Sequence, residues 1–329
     1  MSDTSLSILL PVHSTRYLSQ SLKSIYQSRG LCNAWELIVI LDRVPRREFE
    51  NANPARNGDI HIHVVDSESP GIVSALNLGL KICKGKYIAR IDEDDLVYPN
   101  RFMAQLKYLE THPGTVAVGG SLTLIDQNGI QIGTKAYPIK DASIRKRMYD
   151  RSPMAHPGAM ILASAMREVD RYRMGVPEDW DLWLRLSRTG KIHNLHRPVI
   201  AYRQHPNQLS KTSLYKSTKA RKLIFISEFK TEQELMSISE SSDLIDASFH
   251  ELGKNSLHRK KYERVNKFQD FEHLRISRSE STGIAAMLIA MRIAMKYPIF
   301  SLNDLVTSVR EKIYGVSFTK ISWNQKQYD

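Results

Sequence analysis

Cysteine is nearly absent from the 329 residues. Cys32 and Cys83 are the two present, in no paired motif, which excludes a disulfide scaffold or thiolate zinc site and points to a reducing compartment. Long apolar runs are also missing. The most apolar stretch, Ile284 to Met295, is broken by Arg292 and followed by Lys296 and Pro298, short of the roughly 20 residues that cross a bilayer. Met1 to Ser5 carries no basic region, so no targeting segment is expected there. No G-x-G-x-x-G follows the first apolar run, which disfavours NAD or FAD. Gly79 to Lys86 has the wrong spacing for a phosphate loop, and no Ser or Thr follows its lysine. His61 and His63 lack further ligand residues nearby and read as structural. No internal repeat or low-complexity tract is found.

What is there is the balance of a soluble globular protein, 42% hydrophobic and 25% charged. Lys and Arg outnumber Asp and Glu by 47 to 35, so an anionic partner fits: nucleic acid, a membrane surface or a phosphorylated small molecule. Half of the +12 excess falls after Pro206.

Apolar runs predict strands at Leu6 to Leu10, Glu36 to Leu41, Ile60 to Val65 and Tyr87 to Ile91. Helical spacing joins Leu18, Leu22, Ile25 and Tyr26, and again Val73, Leu76, Leu80 and Cys83. A further helix starts at Pro99 and runs to about Thr111. This alternation is that of an α/β domain with a mostly parallel sheet covered by helices on both faces. Shorter strands follow near Val116 to Ile125 and Ala159 to Ala163, flanking the basic segment Lys140 to Arg151. A helix starts near Glu178, and more strands are expected around Ile192 and Val199. Residues 1–205 read as the α/β domain and 206–329 as a mainly helical, basic extension.

In open α/β sheets ligands bind beyond the carboxyl ends of the parallel strands. Asp42 follows the second strand there, and Asp92-Glu93-Asp94-Asp95 follows the fourth. Four adjacent carboxylates repel one another, and a Mg²⁺ or Mn²⁺ ion would relieve this through oxygen ligation. A solvated acidic turn that caps the next helix is the alternative. Glu178-Asp179 opens a helix rich in Trp and Leu. It serves either as helix-end electrostatics or as a carboxylate placed for general-base work.

Together the motifs resemble glycosyltransferase family 2, inverting enzymes of the GT-A fold. The resemblance covers Leu6 to about Ser210. It rests on Pro11-Val12-His13-Ser14 after the first strand, Asp42 after the second, and the run SPGIVSALNLGLKICKGKYIARIDEDDLVYPNRFMAQ from Ser69 to Gln105. EDWDLWLRL from Glu178 to Leu186 and Tyr202-Arg203-Gln204-His205 complete it. The family usually has an aromatic residue and Asn where His13 and Ser14 stand.

The resemblance implies a nucleotide-sugar donor, expected to be UDP-linked, and a glycan or lipid-linked acceptor in cell-surface polysaccharide synthesis. It implies that Pro11, Val12, His13, Asp42, Asn77 and Asp92 bind the donor, and that Asp94 and His205 hold a divalent cation (Mn²⁺ or Mg²⁺). Asp179 would be the catalytic base, and His156, Glu178 and Trp180 would face the acceptor. Core packing competes with that role for the tryptophans, as a surface or packing role does for His205.

Lys211, Lys216, Lys219, Arg221 and Lys222, then Arg259-Lys260-Lys261, form basic stretches of the extension. With apolar Ile284 to Tyr297 they suggest either contact with anionic lipid or a helix packed on the catalytic domain. A cytoplasmic location is expected, with peripheral contact on the cytoplasmic face of the membrane following only from the first of these two readings. A sugar nucleotidyltransferase would also use paired aspartates and a metal, but Pro11 to Arg16 lacks its glycine-rich loop. A nucleic-acid-binding adaptor would leave the acidic run facing phosphates that repel it, so no nucleic-acid partner is expected.

Overall fold

Strand β1 (Leu6–Val12) and strand β2 (Trp35–Leu41) are buried at almost every position. Both of their faces are covered, so they read as continuous apolar runs rather than alternating ones. In this computed structural model the described residues are 5–28, 34–54, 62–206, 208, 218–255, 261–263 and 265. His61 and Cys32 lie outside them, as do Lys211, Lys216, Arg259-Lys260 and the stretch from Ile284 to Tyr297.

β1 pairs in parallel with β2 and with β4 (Tyr87–Arg90), and β2 with β3 (Ile62–Asp66). The remaining strands are β5 (Leu96–Val97), β6 (Thr115–Ile125), β7 (Gln131–Lys135), β8 (Met160–Leu162) and β9 (Lys191–Arg203). The sheet runs β3-β2-β1-β4-β8-β6-β9-β5, with β7 paired to β6. β8 is antiparallel to both β4 and β6, and β9 is parallel to β6. The fold class expected from the sequence is therefore observed. The strands expected at Ile192 and Val199 are one continuous strand, β9. Its register with β6 shifts around Ser121, next to Pro198, which has no N–H to give a ladder.

Helix α1 (Leu18–Tyr26), α2 (Arg46–Ala52) and α4 (Arg101–Thr111) cover one face of the sheet. Leu18, Leu22, Ile25, Phe49, Phe102 and Leu109 pack there with Ile8 and Leu10. Helix α3 (Ile72–Ile82) and α7 (Glu178–Thr189) cover the other, where Ala75, Leu76, Trp180 and Trp183 meet Leu9, Ile38 and Ile40. Two short helices, α5 (Asp141–Arg147) and α6 (Ala163–Glu168), complete this layer. The basic segment after Lys140 is thus partly helical.

Beyond Pro206, α8 (Thr218–Ile226), α9 (Glu232–Ser239) and α10 (Ser242–Gly253) gather a third core around Leu223, Phe225, Leu235, Ile245 and Phe249. Ala220 and Ile224 of α8 join the α7-side core instead. The described residues all fall within one compact unit, Met1–Val265. Two basic residues of α8 are engaged within the chain: Arg221 donates to the Asp150 carbonyl at 2.9 Å, and Lys222, itself buried, to Asp246 at 2.6 Å. Among the described residues no helix is long and apolar enough to cross a membrane.

Candidate active site

The parallel pairing of β4, β1 and β2 brings their carboxyl ends to one edge, and the candidate residues follow from it. Pro11 and Val12 end β1 inside the core, and His13 emerges exposed. His13 Nδ1 lies 3.6 Å from Asp42 Oδ2. Gly71, just before α3, takes φ +106°, a region open to glycine. Its amide donates to Asp42 Oδ2 at 2.9 Å. Asp42 Oδ1 is buried and has no hydrogen-bond partner, an arrangement that suits a donor group from a ligand.

The acidic run after β4 is not a solvated turn. Asp95 is fully buried; Asp92, Glu93 and Asp94 are half-buried. Burial pushes the Asp92 carboxyl up to about 6 against the opposing pull of Arg90, and neighbouring Asp94 adds to the rise. Burial, then Asp92 and Asp94, push Glu93 up to about 8. The Asp95 carboxyl is raised well above the usual range by burial and by Asp94 and Asp92.

Two buried arginines organise the run. Arg90 grips both carboxylate oxygens of Asp92, with Nη1 donating to Oδ2 at 3.0 Å. The Arg203 amide donates to Asp95 Oδ1 at 2.9 Å, while its guanidinium donates to the Asp94 carbonyl at 2.9 Å and to Gln20 Oε1 at 2.8 Å. Arg203 also lies 4.4 Å over the Tyr17 ring. Beneath them, buried Arg101 donates to the carbonyls of Arg90 (2.7 Å) and Ala159 (3.1 Å) and to Gln105 (3.1 Å). His205 stands beside the run, its Nε2 2.8 Å from Asp94 Oδ2.

The donor set fits a hard divalent cation. Asp92, Asp94 and Asp95 each offer one oxygen within 4.8 Å of the others. Asp95 Oδ2 is buried without a hydrogen-bond partner. Carboxylate oxygens are the ligands that Mg²⁺ and Mn²⁺ select. Arg90 already neutralises Asp92, so Asp94 and Asp95 are the more available ligands.

At the start of α7, Asp179 Oδ1 accepts from the Trp180 amide at 2.7 Å, and Oδ2 from the Ser152 hydroxyl at 3.0 Å. Burial and then the Glu178 charge raise its pKa, against the hydrogen bonds from Ser152 and the Trp180 amide. Glu178 is buried beside His156, whose Nδ1 is 3.6 Å from Oε1. His156 Nε2 pairs with the Tyr172 hydroxyl at 3.0 Å. Burial, with Arg90 adding, keeps this imidazole neutral by holding its pKa well below the usual range.

Three residues named from the sequence have inward roles here. Trp180 is core, with its indole N–H donating to the Met148 carbonyl. His156 is buried too. The Asn77 amide is taken up by the Tyr172 backbone, giving to its carbonyl at 3.0 Å and accepting from its N–H at 2.9 Å. Sequence reasoning missed Arg90, Arg203, Ser152 and Tyr172 as site builders. An arginine inside the apolar strand YIAR, two residues before an acidic run, was a usable signal, since charges are buried when paired.

Comparison with known proteins follows the same lines. The family model "Glycosyl transferase family 2" matches residues 7–169. EpsE of Bacillus subtilis, named as a glycosyltransferase, is 30% identical over 206 residues, 60% of this chain and 72% of its own length. The amylovoran biosynthesis glycosyltransferase AmsE of Erwinia amylovora is 28% identical over 198 residues, 59% of this chain and 73% of its own. Among solved structures, S. aureus TarS 1–349 in complex with UDP-GlcNAc superposes with a TM-score of 0.53 at 13% identity. That likeness covers 81% of this chain and 80% of TarS 1–349, and at such identity it is one of fold.

Proposed function

The chain belongs to glycosyl transferase family 2, and on that premise we propose that it transfers a sugar from a nucleoside-diphosphate sugar, UDP-linked, to a hydroxyl of a glycan or lipid-linked acceptor. The transfer inverts the anomeric carbon and serves cell-surface polysaccharide synthesis. What supports the reading is the carboxyl-end edge of the parallel strands, which carries Asp42 with an unpartnered oxygen and the Asp92–Asp95 carboxylates, together with Asp179 at the start of α7, whose pKa is raised by burial.

Each group has a task the chemistry requires. Asp42 and His13 meet the base and ribose of the donor. Asp94 and Asp95, with His205 beside them, would hold the divalent cation, which when bound neutralises charge growing on the diphosphate leaving group. Asp179 takes the proton of the acceptor hydroxyl as it attacks from the face opposite that group. Ser152 and the Trp180 amide fix its orientation, and its raised pKa makes it a stronger proton acceptor near neutral pH. Arg90 keeps Asp92 ionised and aimed.

A thermal-shift screen of nucleotide sugars with Mn²⁺ tests the donor, followed by product analysis. Stabilisation by UDP-sugars and release of UDP on addition of acceptor are expected. Release of pyrophosphate instead, as from a nucleotidyltransferase, would overturn the reading.

A further inference from the structure

The segment that leads into α7 has no ladder of its own. Residues 169–177 form neither helix nor strand, so their backbone groups depend on side-chain partners. Arg173 forks onto both carboxylate oxygens of buried Asp181 on α7, with Nε donating to Oδ2 at 3.1 Å. From α7, Arg185 Nη1 donates to the Val169 carbonyl at 2.6 Å and Nε to Asp181 Oδ2 at 2.8 Å. These contacts join the segment to α7 as one body.

Asn77 ties that body to α3. Its side-chain amide gives to the Tyr172 carbonyl and accepts from the Tyr172 N–H, the pair of bonds that a neighbouring strand would exchange. The Tyr172 side chain is buried, and its hydroxyl meets His156 Nε2 at 3.0 Å. His156 in turn reaches the first two turns of α7. It stands edge-on to the Trp183 ring at 5.8 Å, and its Nδ1 is 3.6 Å from Oε1 of Glu178, the residue before Asp179.

Helix α3 is itself fixed to the donor side. A Cβ at Gly79 would lie 3.1 Å from Ile40 Cδ1 and 3.2 Å from Leu9 Cδ2, so the helix rests close on β1 and β2. Its preceding Gly71 amide donates to Asp42, about two turns from Asn77. One helix thus carries the contact to the carboxylate assigned to the donor base and the clamp on the segment that leads to Asp179. The start of α7 has no side-chain cap, which leaves its place to be set by its neighbours. A displacement of about 1 Å between reacting groups can cost about 10²-fold in rate.

We propose that Asn77 is a positioning residue for transfer. Acting through Tyr172 and His156, it holds α7, and Asp179 with it, in place relative to the donor side of α3. This rests on the reading of Asp179 as the base. It differs from the donor contact that the resemblance implied for Asn77, and the two have different kinetic consequences. Loss of a donor ligand weakens nucleotide binding, whereas loss of a positioning residue slows turnover of a donor that binds as before.

UDP release by the full chain from UDP-glucose, UDP-galactose and UDP-GlcNAc with Mn²⁺, water standing in for the acceptor hydroxyl, gives kcat and KM. The water oxygen bonds to the anomeric carbon as UDP leaves, and its proton passes to Asp179. In Asn77→Ala kcat should fall about tenfold or more, with KM and calorimetric UDP affinity within about twofold of the wild type. Tyr172→Phe keeps the backbone clamp and loses only the hydroxyl, and should lower kcat in the same sense. The double variant should lose less than the product of the two effects, because both act along one path. Leu109→Ala, on the opposite face of the sheet, should lose stability and keep its turnover, which separates positioning from mere destabilisation. An unchanged kcat in Asn77→Ala and Tyr172→Phe, a UDP affinity about tenfold weaker in Asn77→Ala, or effects that simply multiply would overturn the proposal. Asp179→Asn in the same assay separates the two readings. Full turnover there defeats the base assignment, whereas a loss there with none in Asn77→Ala defeats the positioning role. Release of UDP from none of the three sugars by the wild type defeats the donor reading and the proposal with it.

Discussion

Arg90 supplies the sharpest test of how the acidic run is held. It is 7% exposed, and its guanidinium takes both oxygens of an Asp92 carboxylate that retains 21% of its exposure. Substituting Arg90→Met keeps most of the volume and leaves a nearly buried carboxylate beside Asp94 and Asp95 without its counter-charge. Breaking a buried pair from one side costs about 3–5 kcal/mol, and the residual exposure of Asp92 places this case near 3 kcal/mol. The loss should depend on pH. Asp92 sits at about 6 with Arg90 in place, and Arg90 lowers it, so the variant carboxyl rises further. Below pH 6 it is protonated in the folded state and needs no partner. Urea titrations should therefore give a loss near 3 kcal/mol at pH 8 and a clearly smaller one at pH 5, with Asp92→Asn in the same chain restoring most of it. A loss under about 1 kcal/mol at pH 8, the range of an exposed pair, or one equal at both pH values, would refute the reasoning.

Asp179→Asn should lower transfer by about 10²–10⁴-fold while nucleotide-sugar affinity, measured by calorimetry, changes little. Gly71→Ala meets no atom within 4 Å but keeps a φ of +106°, so backbone strain of about 1–3 kcal/mol should appear in urea midpoints, together with weaker nucleotide uptake as the Asp42 contact shifts. Between about pH 6.5 and 8 the metal-free protein should lose stability as pH rises. Folded Glu93 titrates near 8 and unfolded Glu near 4.3, so the folded state binds more protons throughout that window. Below about 6.5 the neutral His156 acts in the opposite direction. Mn²⁺ needs ionised carboxylates, so its stabilisation in thermal melts should be larger at pH 8 than at pH 6.5.

The parallel core was legible because β1 and β2 are buried on both faces and therefore read as unbroken apolar runs between amphipathic helices. Strand ends then pointed to Asp42 and Asp92–Asp95, and a helix start to Asp179, without any knowledge of packing. β7 escaped because Gln131–Lys135 is mostly exposed and is held by pairing to β6, which leaves no hydrophobic period. The roles of Asn77, Trp180 and His156 could not be read from spacing, since a polar side chain near a site can face the ligand or the backbone beneath it. Here each faces inward. Ser152 carried no local signal, because its place at Asp179 arises from a contact between residues 27 positions apart.

Asp94 and Asp95 of the acidic run would hold a divalent cation, which when bound would offset the charge of a nucleoside diphosphate. Calorimetric titration of UDP into the protein with Mn²⁺, and again with chelator, measures this directly. Affinity should be at least about tenfold higher with Mn²⁺, a difference of 1.4 kcal/mol, and the gain should vanish when Asp94→Asn and Asp95→Asn are combined. Equally tight UDP uptake with chelator, or a gain that persists in the double variant, would contradict it.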